Sequence, residues 1–160
     1  MKISNREIGE KHKPYVIAEI SGNHDGSFIK AKELIDAANW CGVDSVKLQT
    51  FKPELMTFNS SKKEFIVDHA SSKWSKKTLF DLFSKAYTPW EWYPRLKKYF
   101  EKKNITLFSS VFDLKSLNFL ESLDFPAYKI ASFENNDLNL IKEIAKKKKP
   151  IIMSTGMASL

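Results

Sequence analysis

Five short apolar segments recur along the chain, and each is bounded by polar or turn-forming residues. They occupy residues 15–20, 45–51, 106–112, 127–133 and 150–154. Short, nearly continuous apolar runs are typical of strands that are buried on both faces. The segments alternate with helical patterns. This order predicts an α/β fold in which helices cover the outside of a parallel sheet.

The first intervening stretch shows the helical spacing. Ala31, Leu34, Ile35 and Ala38 lie at positions i, i+3, i+4 and i+7, so they form one apolar face. Gly42 follows them and supplies a residue that commonly ends a helix. We therefore predict a helix between the first two strands.

The remaining helices can be placed by their apolar spacing and by their start signals. Residues 79–87 repeat the apolar helical pattern, and the sequence Thr-Pro-Trp-Glu at 88–91 predicts a capping box that opens a third helix. Asp113 is predicted to cap a fourth helix, and Asn136 or Asp137 a fifth.

Five βα units fit two architectures. A doubly wound sheet of five strands can be completed within 160 residues, whereas an eight-stranded TIM barrel needs about 250. The sequence stops just after the fifth apolar segment, before any helix that could cover it. An unfinished unit favours the N-terminal portion of a (β/α)8 barrel, although the pattern alone leaves both architectures open.

The charge balance favours an anionic partner. Lys and Arg number 26 against 19 Asp and Glu, which gives a formal net charge of +7. Only Arg6 and Arg95 are arginines, so the bidentate forks that read bases are scarce and we expect no nucleic-acid partner. We interpret the lysine run 146–149 as a solvated helix end. No apolar run is long enough to span a membrane, and Cys41 is a single cysteine, so we expect a cytoplasmic protein without a membrane partner.

Polar residues lie at or just beyond the carboxyl end of every predicted strand. In a parallel βα fold these ends meet at one edge, where the ligand crevice forms. The residues at this edge are Glu19, Asn23, His24, Lys47, Gln49, Ser109, Ser110, Lys129, Ser132, Glu134, Ser154 and Thr155.

Lys47 and Lys129 lie inside otherwise apolar strands, where an ammonium group is costly to bury without an anion. With the serine hydroxyls around them they predict a cradle for a small ligand that carries phosphate and carboxylate. The alternative is that the two lysines form structural ion pairs with Glu19 and Glu134. His24, in the turn 23–26, either contacts the ligand or is structural.

Other site types are not indicated by the sequence. The three histidines, His12, His24 and His69, show no metal-ligand spacing with one another or with Cys41. The chain has no glycine-rich phosphate loop. The long connection 52–74, which includes His69, more often shapes a site than merely joins two elements.

The strand ends resemble those of the sialic acid synthase family, in the family's order. The matching segments are Ile-Ala-Glu-Ile at 17–20, Asn-His-Asp-Gly at 23–26, Val-Lys-Leu-Gln-Thr-Phe at 46–51, Phe-Ser-Ser-Val-Phe at 108–112, Tyr-Lys-Ile-Ala-Ser-Phe-Glu at 128–134 and Ser-Thr-Gly-Met at 154–157. Ala-Ser-Phe-Glu at 131–134 and Thr-Pro-Trp-Glu-Trp at 88–92 are most similar to the pseudaminic acid synthase branch. N-acetylneuraminate and legionaminate synthases are the neighbouring alternatives.

The resemblance implies a carbon–carbon bond-forming transferase. Phosphoenolpyruvate would condense with an open-chain acetamido sugar, water would add, and phosphate would leave to give a nine-carbon 2-keto acid. The family uses a divalent metal, Mn²⁺ or Mg²⁺, whose histidine ligands lie on later strands, beyond residue 160. Residues 1–160 would be a partial TIM-barrel synthase domain that stops before the last strands and before a C-terminal antifreeze-like domain. In the family that domain lends an arginine to the neighbouring subunit, so we expect the full-length protein to be a homodimer.

The resemblance also implies roles for single residues. Lys47, Ser110, Lys129, Ser132 and Ser154 match positions that hold the phosphate or carboxylate of phosphoenolpyruvate. Sugar binding is predicted for Asn23, His24 and Gln49, and catalytic roles near the aldehyde for Glu19 and Glu134. We expect the 160-residue chain to be inactive on its own. The alternative of another class is a non-catalytic remnant that binds an anionic ligand or a partner chain.

Overall fold

The computed structural model describes residues 1–68, 74–156 and 158–159, so His69, Met157 and Leu160 lie outside the described residues. The helices are α1 (Phe28–Trp40), α2 (Pro53–Met56), α3 (Leu79–Ala86), α4 (Tyr93–Lys103), α5 (Leu114–Ser122) and α6 (Leu138–Ala145). The strands are β1 (Lys2–Ile3), β2 (Arg6–Glu7), β3 (Ile17–Glu19), β4 (Ser45–Thr50), β5 (Thr106–Val111), β6 (Tyr128–Ile130) and β7 (Ile151–Met153). Each of the five predicted apolar segments contains one strand of the main sheet.

The main sheet decides between the two architectures. Strands β3 to β7 are all parallel, and they lie in the order in which they occur along the chain. A doubly wound sheet would reverse its strand order at a switch point, and none occurs in the described sheet. The five strands instead curl into half of a (β/α)8 barrel, so the barrel prediction is confirmed.

A continuous apolar core lies between the strands and the helices that cover them. Side chains on the outer face of the sheet, such as Val46 and Leu48, are fully buried. Ile35 of α1, Phe100 of α4 and Leu120 of α5 pack in the same cluster. Burial of each such side chain stabilises the fold by about 2 kcal/mol, which holds the strands in register.

The helix start signals were confirmed at two places and wrong at one. Asp113 accepts hydrogen bonds from the amides of α5, and Asp137 caps α6. The capping box at 88–91 does not form. A 3-10 turn at Trp90–Trp92 precedes α4, which begins at Tyr93. Thr88 is fully buried, and its hydroxyl contacts His24 instead of a helix amide.

An antiparallel hairpin of β1 and β2 precedes the sheet. It was not predicted, because strands of two residues are too short to show a periodic pattern. Ile3 is buried in the main core. The Arg6 guanidinium lies 3.1 Å from the Asp44 carboxylate, just before β4. The hairpin is therefore tied to the amino-terminal ends of the strands, opposite the predicted site.

The lysine-rich end of α6 forms ion pairs with neighbouring carboxylates. Lys146 contacts Glu143 at 2.5 Å, and Lys149 contacts Asp124 at 2.9 Å and Glu121 at 3.0 Å. These contacts agree with a solvated helix end. Within the described ranges, no helix has the length and apolar character needed to cross a membrane.

Candidate active site

The strand register brings the predicted site residues into two adjacent rows at the carboxyl edge of the sheet. Gln49 of β4 is paired with Ser110 of β5, which is paired in turn with Lys129 of β6. Two residues closer to the start of β4, Lys47 is paired with Glu19 of β3. Side chains of paired residues in a parallel sheet point to the same face, so these five lie together.

Lys47 links three strands. Its ammonium group lies 2.5 Å from Glu19 Oε2 on β3 and donates to Ser110 Oγ, 3.0 Å away on β5. Lys47 is only 7% exposed, whereas Glu19 is exposed. The ion pair predicted as the structural alternative is therefore formed here. The Glu19 carboxylate faces solvent, so a ligand anion can replace it beside Lys47.

Lys129 has a different environment. Its Nζ donates to Ser154 Oγ at 2.6 Å and to the backbone carbonyl of Ile130 at 2.7 Å. No carboxylate in the described part of the chain lies within ion-pairing distance of it, so the predicted pair with Glu134 is not formed. Burial and the nearby Lys47 cation lower the pKa of Lys129, and the carboxylates of Glu19 and Glu134 only partly offset this.

Glu134 lies in the 3-10 turn Ser132–Glu134 that directly follows β6. Burial raises the pKa of Glu134, and the neighbouring Asp137 charge adds to the effect. Its Oε2 atom is buried without a hydrogen-bond partner in the described structure. A carboxyl group in such a position holds a proton more readily than an exposed one, which suits proton transfer.

The loops that follow β6 and β7 are held together around Ser132. Gly156 lies against Ser132, because a Cβ atom on it would be 2.9 Å from Ser132 Oγ. Asn135 donates its side-chain N–H to the Gly156 carbonyl at 2.9 Å. Asn135 was missed by the sequence reasoning, because a lone asparagine in a loop carries no distinctive signal. These contacts join the turn after β6 to the loop after β7.

The three predicted sugar-binding residues are separated by their burial. Asn23 is exposed in the loop between β3 and α1, and Gln49 is half-buried. His24 is fully buried: its Nε2 lies 3.1 Å from Thr88 Oγ1, and its Nδ1 accepts from the Gly26 N–H. Both ring nitrogens are thus engaged within the chain, and this geometry favours the structural alternative for His24.

An open cleft of about 690 Å³ adjoins Asn23 at the end of β3. Trp74 lines it together with Lys77 and Lys85, whose ammonium groups lie 5.3 Å and 5.8 Å from the Trp74 ring. Lys47 and Lys129 do not line this cleft.

The divalent metal implied by the resemblance stays a prediction, because its histidine ligands are expected beyond residue 160. Across residues 1–68, 74–156 and 158–159, no cluster of three or more His, Cys, Asp or Glu side chains could hold a metal ion. We therefore assign no chemical step to a metal. The described site consists of two partly desolvated cations, three serine hydroxyls and two carboxyl groups, which is a set suited to a phosphate- and carboxylate-bearing anion.

This half-barrel, with its polar strand ends, places the chain among the TIM-barrel proteins. Residues 34–160 match the NeuB family, and the chain belongs to this family. It is 44% identical to the pseudaminic acid synthase of Campylobacter jejuni over 159 residues, which is 99% of this chain and 45% of that protein. It is also 44% identical to the pseudaminic acid synthase of Helicobacter pylori over 146 residues, which is 91% of this chain and 42% of that protein.

Solved structures agree with this assignment. The N-acetylneuraminic acid synthetase of Leptospira borgpetersenii superposes with a TM-score of 0.83 at 27% identity, covering 99% of this chain and 50% of that one. The spore coat polysaccharide biosynthesis protein SpsE of Bacillus subtilis gives 0.78 at 34% identity, covering 100% and 41%. The chain spans less than half the length of the curated relatives it matches.

Proposed function

We propose that this polypeptide supplies the phosphoenolpyruvate-binding edge of a synthase that makes a nine-carbon sialic-acid-like 2-keto acid. The observation that carries the proposal is the pair Lys47 and Lys129. Lys47 donates to Ser110, and Ser110 is the strand partner of Lys129, so the two lysines lie at the same place on the edge. Lys129 forms no ion pair among the described residues, and an anion beside it would offset both its burial and the Lys47 charge. Phosphoenolpyruvate carries a phosphate and a carboxylate, and the serine hydroxyls beside each lysine match both groups.

The residues of this chain would bind and orient the enolpyruvyl anion. Lys129 with Ser154 and Ser132 would hold one anionic group, and Lys47 with Ser110 the other. C3 of phosphoenolpyruvate would attack the sugar aldehyde carbon, and the aldehyde oxygen would take up a proton. Water would then add at C2, and the C–O bond to phosphate would break. Fixed cations stabilise the charge of each step without reorganising.

The two carboxyl groups would handle protons. Glu134 holds a proton more readily than an ordinary glutamate, so it would donate that proton as charge develops on the aldehyde oxygen. An anion that reaches Lys47 would compete with Glu19, and the released carboxylate could accept a proton from the attacking water.

The sugar is proposed from the relatives. Identity to two pseudaminic acid synthases is 44%, against 32% to the N-acetylneuraminate-9-phosphate synthase of Homo sapiens. This difference favours a pseudaminate-type acetamido sugar over the neuraminate alternative, with Asn23 and Gln49 as its contacts. A homodimeric, metal-dependent, cytoplasmic full-length enzyme remains a prediction from the resemblance.

Isothermal titration calorimetry of the polypeptide with phosphoenolpyruvate tests the proposal. We expect saturable binding that weakens about tenfold in Lys129→Met, because one charge-assisted contact is lost. Lys149→Met is the matched control, since Lys149 forms its ion pairs on the outside of the barrel. Equal affinity in both variants, or no saturable binding, would refute the proposed site and favour the non-catalytic remnant.

The sugar requires a separate assay. In a polypeptide extended to the length of its relatives, we expect phosphate release to be fastest with the acetamido sugar of the pseudaminate branch. Faster release with the neuraminate or legionaminate precursor would refute the branch assignment and leave the anion site standing.

A further inference from the structure

Two segments meet at the carboxyl edge of the sheet, one after β6 and one after β7. Ser132 lies in the 3-10 turn Ser132–Glu134 that follows β6, and Ser154 is the first residue after β7. Strand β7 pairs with β6 through three residues on each strand. Beyond this pairing, the Ser154 N–H donates to the Ile130 carbonyl at 3.0 Å, and the loop after β7 then leaves the sheet. Contacts with the preceding turn therefore bear on where this loop lies.

Asn135 contacts both segments. Its side-chain N–H donates to the Gly156 carbonyl at 2.9 Å, although the two residues are 21 positions apart in the sequence. A carbonyl oxygen only accepts hydrogen bonds, so the amide nitrogen of Asn135 must be the atom that faces it. The backbone N–H of Asn135 donates to the Ser132 carbonyl at 3.4 Å and closes the 3-10 turn. One residue thus bonds the turn after β6 and the loop after β7.

A third contact joins Gly156 directly to Ser132. A Cβ atom on Gly156 would be 2.9 Å from Ser132 Oγ and 3.5 Å from Ser132 Cβ, so the Ser132 side chain lies against the Gly156 backbone. Asn135, Gly156 and Ser132 therefore contact one another in pairs. Three mutual contacts fix one segment against the other better than a single hydrogen bond does, because each contact limits the movement that the other two would allow.

The joined segments carry residues of the proposed anion site. Ser154 precedes Gly156 by two residues and accepts a hydrogen bond from Lys129 Nζ at 2.6 Å. Ser132 is predicted to bind the same anionic group as this pair. A hydroxyl that is fixed before the ligand arrives loses less conformational freedom on binding, so it contributes more to affinity.

We infer that Asn135 is a positioning residue. It holds the turn that carries Ser132 against the loop that carries Ser154, so that both hydroxyls are in place when the anion binds. The inference rests on the proposed function for the identity of that anion, whereas the contacts of Asn135 stand on their own.

The order of the loop after β7 tests these contacts without any ligand. In ¹⁵N relaxation measurements at low ionic strength, we expect the Thr155 and Gly156 amides to have order parameters of about 0.85, as rigid backbone does. Asn135→Ala removes the donor, and both values should fall to about 0.6. Asn136→Ala is the matched control, because Asn136 is exposed and its side chain forms no hydrogen bond within the described residues. A flexible Gly156 in the wild type, or equal order in the two variants, would overturn the inference.

Phosphoenolpyruvate affinity tests the positioning role. Isothermal titration calorimetry should show about fivefold weaker binding in Asn135→Ala than in Asn136→Ala. In a Ser132→Ala background the same substitution should weaken binding by less than about twofold, because the hydroxyl that Asn135 positions is already absent. A residue that only stabilises the fold would weaken binding by the same factor in both backgrounds, and that additive result would refute the positioning role.

A wild-type chain that binds no phosphoenolpyruvate would refute the proposed function and, with it, the ligand of this inference. The relaxation measurements would still show whether Asn135 orders the loop, so the two failures are distinguishable. If Asn135→Ala does not fold, Asn135→Asp takes its place, because an ionised carboxylate cannot donate to the Gly156 carbonyl. Asn136→Asp is then the control, since it adds the same charge one residue away.

Discussion

At the scale of single residues, the surroundings of Lys129 disfavour the charged form of its side chain. Its pKa is lowered by burial and by Lys47, and a bound anion would reverse part of that effect. Phosphoenolpyruvate binding should therefore take up protons at alkaline pH, where a phosphate monoester, with its second pKa of about 6, is already fully ionised.

Calorimetry in buffers of different ionisation enthalpy measures this uptake directly. We expect the uptake to disappear in Lys129→Met and to persist in Lys149→Met. Affinity should also fall at alkaline pH earlier than for an ordinary lysine. The same uptake in Lys129→Met would assign the proton to another group.

His24 provides a prediction about stability. Burial lowers the pKa of His24 below 6.5, outweighing the opposing effect of Asp25, while the Lys30 cation adds to the lowering. Between the folded-state pKa and about 6.5 the unfolded chain binds more protons, so this contribution is complete above about pH 6.5 and is lost as the pH falls through that window. In urea titrations the advantage of the wild type over His24→Gln should shrink on acidification. A constant difference would contradict this account.

At the scale of elements, the β3–α1 loop packs directly against the end of α3. A Cβ on Gly22 would lie 2.8 Å from the Ala86 carbonyl oxygen and 3.0 Å from its Cα, and backbone atoms cannot move aside cheaply. We expect Gly22→Ala to lower the free energy of unfolding by about 1–3 kcal/mol.

Gly9→Ala is the matched control, because its Cβ would meet only the His12 ring at an ordinary 3.7 Å, and it should change stability by less than about 0.5 kcal/mol. Urea unfolding measures both variants. Equal stability of the two would mean that the loop is not packed on α3.

The strands and helices could be predicted because their apolar periodicity is local. The start of α4 could not be predicted from the sequence. The Thr88 hydroxyl could cap a nearby helix, but in the folded chain it bonds His24, which is far away in sequence. Thr50 and Ser109 were likewise not recognised. The alternation of strand residues assigns them to the helix side, but only the packing of α4 shows that Tyr93 meets them there. Lys47 and Lys129 could be predicted as site residues because a lysine within an apolar strand is unusual.

At the scale of the whole molecule, the half-barrel has two open sides. Strand β3 pairs only with β4, and β7 pairs only with β6, within the described sheet. A closed barrel leaves no such edges. Phe133 and Leu138, which follow β6, are each 76% exposed, and Met153 at the end of β7 is 41% exposed. The relatives are about twice as long as this chain, so their remaining length is sufficient to cover these surfaces.

The 160-residue polypeptide on its own should therefore self-associate through its open edges. Its net charge of +7 opposes association at low ionic strength, whereas strand pairing and apolar contact do not depend on charge. Static light scattering should show an apparent mass that rises with protein concentration, and rises further when salt is increased from about 50 mM to about 500 mM, because the charges are then screened.

A lysine substitution on the edge strand tests whether the open edge causes the association. Met153→Lys places a charge at the open β7 edge and should reduce association, as charged residues do on natural edge strands. Ile29→Lys adds the same charge to an exposed position of α1 and not to an edge strand, so it should reduce association less. A stable monomer at every salt concentration, or equal effects of the two lysines, would mean that the open edges are not the surfaces through which this chain associates.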